Sequence, residues 1–290
     1  MLRERRSAVL PLLAPAHLLV LLVIGLPALW LLWLGVTESS FGRAPRFVGL
    51  ANYAHILGDP YLWRALGNTA ILVVVVVHVE LLLSLGMALL FAHGLPMRRV
   101  LLAVVLAPYA VSEVAAVVMW RYLFDPEAGP IQVMLESWGL PALDWAVSPG
   151  QGLLLVALLS VWLHLPFSFM ILYSARLALP ADLYEAARID GASAWQAFRR
   201  VTLPLLVPAI LVAVLFRLIF AVRLFSEVWL LTGGGPARST EVVAVYLYLE
   251  AFRYDAFGAA AATGWLMVAF ALLAAAPYLA WMRRQQASDA

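Results

Sequence analysis

Six apolar runs limit what this chain can fold into: residues 8–36, 66–92, 100–120, 152–175, 201–232 and 258–282. Each reaches the roughly 20 residues that an α-helix needs to cross a hydrocarbon core of about 30 Å. A membrane barrel would instead show alternating segments of about 10 residues, and these runs are apolar on both faces. Only 12% of the residues are charged and 64% are hydrophobic, about half the charge of an ordinary soluble domain. The expected fold is all-α: a polytopic membrane protein with six transmembrane helices in one domain spanning residues 1–290. The basic start, with Arg3, Arg5 and Arg6, is like the head of a signal peptide. The run after it is too long for a cleavable apolar region of about 7–15 residues, so it predicts an uncleaved first helix.

The arginines predict an orientation. All 19 basic residues are Arg, and Lys is absent. With a cytoplasmic N-terminus, the inside segments 1–7, 93–99, 175–200 and 283–290 hold 11 of them: Arg3, Arg5, Arg6, Arg98, Arg99, Arg176, Arg188, Arg199, Arg200, Arg283 and Arg284. The longer outside segments hold six, Arg43, Arg46, Arg64, Arg121, Arg238 and Arg253. This bias follows the positive-inside rule and predicts that both termini are cytoplasmic. The clusters flank apolar spans, which argues against a nucleic-acid patch.

Composition also excludes chemistry. Without cysteine there is no disulfide framework, thiol nucleophile or Cys-ligated metal site. A P-loop needs a Lys to reach the β- and γ-phosphates, so a chain without Lys carries no normal Walker A motif. There is no HExxH pattern and no dense His/Asp/Glu cluster in a loop. Hydrolase activity is not expected in this polypeptide, and an ATP-driven process would need its ATPase in another chain.

The most informative loop is 179–208. Local chemistry predicts two short helices there. The first starts near Asp182, after Pro180, and stops at Gly191, a favoured C-terminal residue. The second starts at Ser193, which forms a capping box with Gln196. Pro204 and Pro208 mark entry into the fifth run. Leu183, Tyr184, Ala187 and Ile189 lie among Glu185, Arg188 and Asp190 in the first helix, so it is short and amphipathic. It reads equally as a knob offered to another protein or as a helix on the bilayer surface. Elsewhere, Leu231 to Pro236 is a strong helix stop. The small residues from Gly258 to Gly264 predict close helix packing, within the chain or against a partner.

The residues of this loop resemble the EAA motif of bacterial binding-protein-dependent ABC importer permeases. Glu185, Ala186, Ala187, Asp190, Gly191, Ala192, Gln196, Phe198, Leu203, Pro204 and Pro208 all fit. Residues 47–53, 65–69, 108–113 and 231–236 are similar to stretches of the maltose-type carbohydrate permeases, in particular the first of their two paired permeases. The resemblance implies that Glu185, Ala186, Ala187, Asp190, Gly191, Ala192, Leu203 and Pro204 couple to an ATPase cleft. It also implies a location in the bacterial cytoplasmic membrane and uptake of a saccharide or related polyol. The implied partners are a second permease, two ATPase subunits that hold ATP and Mg, and an extracytoplasmic solute-binding protein. No cofactor is expected in this chain.

Ionisable residues within spans are costly and face the bundle interior or water. Here they are Glu80, Glu113, Arg217, Arg223 and Glu227. Arg223 and Glu227, spaced i, i+4, are expected to neutralise one another on one helix face. Glu80 and Glu113 fit interhelical hydrogen bonds or a substrate role, and His17 and His78 are expected to be packing residues. Ser160, His164 and Phe167 recur on one side of the fourth span, and Arg217, Phe220, Ala221 and Leu224 on one side of the fifth. By position in the resembled family, these residues and Leu163 line a substrate site. Aromatic faces suit sugar rings, and polar groups suit hydroxyls. If Arg217 touches substrate, an anionic saccharide fits, because guanidinium pairs with such groups in a bidentate way. The rival class is a secondary transporter driven by an ion gradient. It would use acids such as Glu80, Glu113 and Glu227 and usually internal repeats, of which none is convincing here.

Overall fold

The computed structural model describes residues 13–288. Arg3, Arg5, Arg6, the start of the first apolar run and the last two residues lie outside the described residues, as does the side chain of Arg284. In chain order the helices are α1 (Leu13–Gly35), α2 (Ala51–Gly58), α3 (Pro60–Ala92), α4 (Arg98–Leu106), α5 (Glu113–Leu123), α6 (Pro130–Ser137), α7 (Pro149–Leu177) and α8 (Ala181–Ile189). They continue with α9 (Ala194–Val222), α10 (Ser226–Leu231), α11 (Val243–Tyr248) and α12 (Phe257–Ser288). Among the described residues the sheet is one antiparallel ladder, β1 (Thr37–Glu38) with β2 (Arg46–Phe47), and Thr37 lies opposite Phe47. The protein is therefore a helical membrane protein.

Among the described residues, five helices are long and apolar enough to cross a bilayer: α1, α3, α7, α9 and α12. The third apolar run is not the straight helix that its composition predicts. Residues Arg98–Ala110 and Glu113–Leu123 pass as a span only together, and they meet at 100°. Pro108 sits in a 3-10 turn, Ala107–Ala110, after which Val111 and Ser112 take extended backbone angles. Proline lacks the amide hydrogen that a helix interior needs. The fifth run also differs from expectation. α9 stops at Val222, Arg223 caps its end, and a new helix begins at Ser226.

Contacts gather the chain into two compact units. The first combines residues up to Leu62 with Tyr246–Val268. Asn52 holds it by donating from Nδ2 to the carbonyls of Gly35 (3.0 Å) and Thr37 (2.8 Å). The Tyr246 hydroxyl donates to Asp59 at 2.8 Å, and the Phe41 amide donates to Asp255 at 2.8 Å. The small residues of α12 are buried within this unit, from Ala259 to Thr263, so the intrachain packing reading describes them. His17, on exposed α1, bonds the Leu13 carbonyl at 2.8 Å and is not a packing residue.

The second unit combines Trp63–Val245 with residues from Ala269 on. Its centre is the pairing of α7 with α9. Leu155, Leu159 and Leu163 on α7 are buried, as are Leu206, Leu211, Val214 and Leu218 on α9. The C-terminal half of α3 joins through Ala88 and Phe91, which pack with Phe169, Leu172, Tyr173 and Ala213. His78 is exposed, bonded to the Val74 carbonyl at 2.7 Å and 3.4 Å from Tyr278. It too is not a packing residue.

A Cβ placed on Gly258 would collide with the Thr37 carbonyl and the Asn52 side chain. One on Gly67 of α3 meets nothing within 4 Å. Gly258→Val should therefore cost about 1–3 kcal/mol through overpacking and lower the thermal midpoint of the purified protein. Gly67→Ala should leave it unchanged or raised.

Candidate functional site

The loop between α7 and α9 forms a rigid elbow from local sequence alone. At the end of α8 the Ala192 amide donates to the Ala187 carbonyl (2.9 Å) and the Gly191 amide to Arg188 (3.1 Å). This is a Schellman motif, with Gly191 at φ +72° as its left-handed residue. Two residues later Ser193 and Gln196 close the expected capping box, with Ser193 N donating to Gln196 Oε1 at 2.7 Å and Gln196 N to Ser193 Oγ at 3.3 Å. The first predicted helix is present as α8; the second starts at Ser193 as expected but is not separate, running on into α9, and the two ends that meet between them are capped locally.

One side of the elbow is pinned to the bundle. The Tyr184 and Thr202 hydroxyls lie 2.9 Å apart, and the Arg176 guanidinium stacks 4.4 Å over the Tyr184 ring. The other side is open. Glu185, Ala186, Asp190, Gly191 and Pro204 are exposed, while Ala187, Ala192 and Leu203 are half-buried. Ile189 is 86% exposed and Trp195 66%. Ile189 ends α8 and Trp195 lies in the first turn of α9.

Within the spans the polar residues form a chain of contacts. Arg217 on α9 is 2% exposed, and its Nε donates to Glu80 Oε2 on α3 at 2.6 Å. Ser168 on α7 donates to the other Glu80 oxygen at 2.5 Å. His164 Nε2, one helical turn away, lies 3.4 Å from Glu227 Oε1 on α10. Glu113, at the start of α5, reaches both Glu227 and Ser226. Beside this chain four aromatic rings cluster. Phe167 lies 6.3 Å from Tyr109, 5.8 Å from Phe216 and 5.9 Å from Phe220, measured between ring centroids. Tyr109, Phe216 and Phe220 are exposed, and Phe167 is half-buried.

Residues 80–287 match the family model described as "Binding-protein-dependent transport system inner membrane component". The chain belongs to this family. Its relatives include the trehalose/maltose transport system permease protein MalF of Thermococcus litoralis, 34% identical over 88% of this chain and 85% of that protein. Another is the sulfoquinovosyl glycerol transport system permease protein SmoG of Agrobacterium fabrum, 33% identical over 97% and 92%. Among solved structures, a chain of a bacterial ABC transporter involved in the import of the acidic polysaccharide alginate shares the fold. It has a TM-score of 0.83 at 22% identity, covering 97% of this chain and 96% of that one.

The permease does not present the eight residues singled out on its fourth and fifth spans as one surface. His164, Phe167 and Phe220 reach the surface of the chain. Ser160, Leu163, Ala221 and Leu224 are buried within it. Arg217 is the clearest departure from expectation, because its charge is neutralised inside the chain by Glu80. The Arg223–Glu227 pairing also gives way: Arg223 is exposed at the end of α9, and Glu227 is buried beside His164. The helix that was to carry both ends between them. Tyr109 and Phe216 were not singled out in the sequence, although the proline beside Tyr109 was a signal that the chain turns there.

Removing one partner of a buried ion pair strands the other charge, at about 3–5 kcal/mol. Glu80→Ala and Arg217→Ala should each destabilise the purified permease by that order in thermal unfolding. The double variant Glu80→Leu/Arg217→Met should recover most of the loss. Loss of uptake in Arg217→Ala would thus report the broken pair.

Proposed function

We propose that this permease takes up a saccharide or related polyol delivered by an extracytoplasmic solute-binding protein. In this reading it works by alternating access, and residues 179–208 dock an ATPase within a single transmembrane domain. The observation that carries the reading is the elbow: two helix ends that meet in a Schellman turn at Gly191 and a capping box at Ser193, held to the bundle by Tyr184, with exposed apolar side chains outward. Glu185, Ala186, Ala187, Asp190, Gly191, Ala192, Leu203 and Pro204 form the coupling surface. A second homologous permease completes the pore, and two ATPase subunits bind ATP with magnesium. Their closure brings the elbows together and turns the central cavity from inward-facing to outward-facing.

The bent pair Arg98–Ala110 and Glu113–Leu123 serves as the third of six spans. Both termini then lie in the cytoplasm, as the Arg distribution favours. The saccharide class is supported by the names of the two permease relatives, trehalose/maltose and sulfoquinovosyl glycerol transport proteins. It is also supported by the ring cluster of Tyr109, Phe167, Phe216 and Phe220, whose faces suit stacking on sugar rings. His164 supplies a hydrogen bond beside it, while Ser160, Leu163, Ala221 and Leu224 form the packed layer behind. Arg217, committed to Glu80, contributes no free positive charge to substrate.

Four measurements test this. The permease should co-purify with ATPase subunits, and isolation of a stable, active complex without them would overturn the reading. Glu185→Arg combined with Gly191→Val should reduce uptake by about 10-fold or more, since a β-branched residue at φ +72° is strained by roughly 1–2 kcal/mol. Gly191→Asn should be tolerated, because Asn enters that region readily. Phe167→Ala with Phe220→Ala should raise the uptake KM while leaving assembly intact. Uptake that follows an ion gradient at constant ATP would sink the proposal.

A further inference from the structure

Behind the elbow lies a cleft of about 380 Å³ lined by Leu89 and His93 at the end of α3, Arg176 at the end of α7, Tyr184 and Arg188 on α8, and Phe198 on α9. Its charge is one-sided. Arg176, Arg188 and His93 line it, and none has a carboxylate partner among the described residues. The acids of the elbow, Asp182, Glu185 and Asp190, are exposed and do not line it. The Arg176 Nε is buried without a hydrogen-bond partner among the described residues. Stacking on Tyr184, whose hydroxyl Thr202 holds, fixes the guanidinium in that position. His93 is likewise oriented, its Nδ1 2.7 Å from the Leu89 carbonyl. Two Arg residues lining one cleft match a phosphate.

The cleft also has apolar walls, formed by Leu89, Ala187, Ala197 and Phe198. It opens where α3 and α7 end, the level at which Arg side chains and lipid headgroups meet. We propose that this cleft binds the phosphate of an anionic phospholipid, with Arg176 and Arg188 as its counter-ions and the apolar wall against its glycerol. The mixed lining favours an amphiphile over a free phosphate. A lipid held there would fasten the back of the elbow to the membrane surface and leave its outer side free. The inference rests on the proposed orientation only for which leaflet supplies the lipid.

The test is native mass spectrometry of the purified complex, carried through phosphatidylcholine bilayers containing phosphatidylglycerol as a minor component. Wild type should retain phosphatidylglycerol in preference to phosphatidylcholine. Arg176→Gln with Arg188→Gln should lower that retention by about 10-fold or more, and the double Lys variant should keep most of it. Equal retention of the two lipids, or unchanged retention in the Gln variant, would overturn the proposal. So would displacement of the lipid by inorganic phosphate at low millimolar concentration, which would assign the cleft to a soluble anion. Should the Gln variant fail to assemble, a photoactivatable phosphatidylglycerol applied to wild type decides. Adducts within residues 89–93, 176–188 or 194–202 support the site, and adducts confined elsewhere remove it. Failure of ATPase docking would leave all these readings unchanged, so the two ideas fail separately.

Discussion

The contact between Glu80 and Arg217 fixes how the long helices of this permease can be arranged. It joins α3 to α9, and Ser168 adds α7 through the second carboxylate oxygen. In a hydrocarbon surround neither charge has water to fall back on, so each needs the other. Sliding α3 or α9 by one residue would pull a charge away from its partner, and sliding α7 would take the Ser168 hydroxyl from Glu80. The apolar contacts around them, such as Phe91 against Phe169, are individually replaceable and less particular about register. The ion pair therefore selects the arrangement, and the apolar packing stabilises the arrangement selected.

Some of this was legible in the sequence and some was not, and the difference follows sequence distance. The elbow could be read from single residues because its determinants are local: Gly191 ends one helix, and Ser193 with Gln196 starts the next. The membrane-crossing helices were equally plain from apolar length. The breaks were not, because apolarity measures what a segment dissolves in and not its backbone path. Pro108 and Ser112 bend the third run, and Arg223 ends the fifth run's main helix, within stretches whose composition still says span. Pairing across 137 residues, as between Glu80 and Arg217, leaves no spacing signal. Interhelical hydrogen bonding, one of the two roles open for Glu80, describes it, but its partners could not be named by a reading confined to one helix at a time.

The two functional regions differ in how they are built. The elbow is rigid through backbone hydrogen bonds in its own caps and needs little from the rest of the chain. The aromatic cluster of Tyr109, Phe167, Phe216 and Phe220 draws on α7, α9 and the turn after α4, so it exists only when those elements are correctly packed. α7 and α9 flank the loop in sequence and pack against each other along the bundle, so under the proposed function a motion delivered at the elbow would reach the cluster through them. Transmission through two such rods needs no specialised relay.

The 100° corner at Ala110–Glu113 carries a solvent requirement. Amides at the start of α5 and carbonyls near the end of the preceding turn have left the helical ladder, and acyl chains offer them nothing. Backbone of this kind survives at membrane depth only beside protein or moisture. Glu113 and Tyr109 flank the corner, one ionisable and one with an exposed ring. If the bent pair is the third span, its corner lies against protein or water and not against acyl chains.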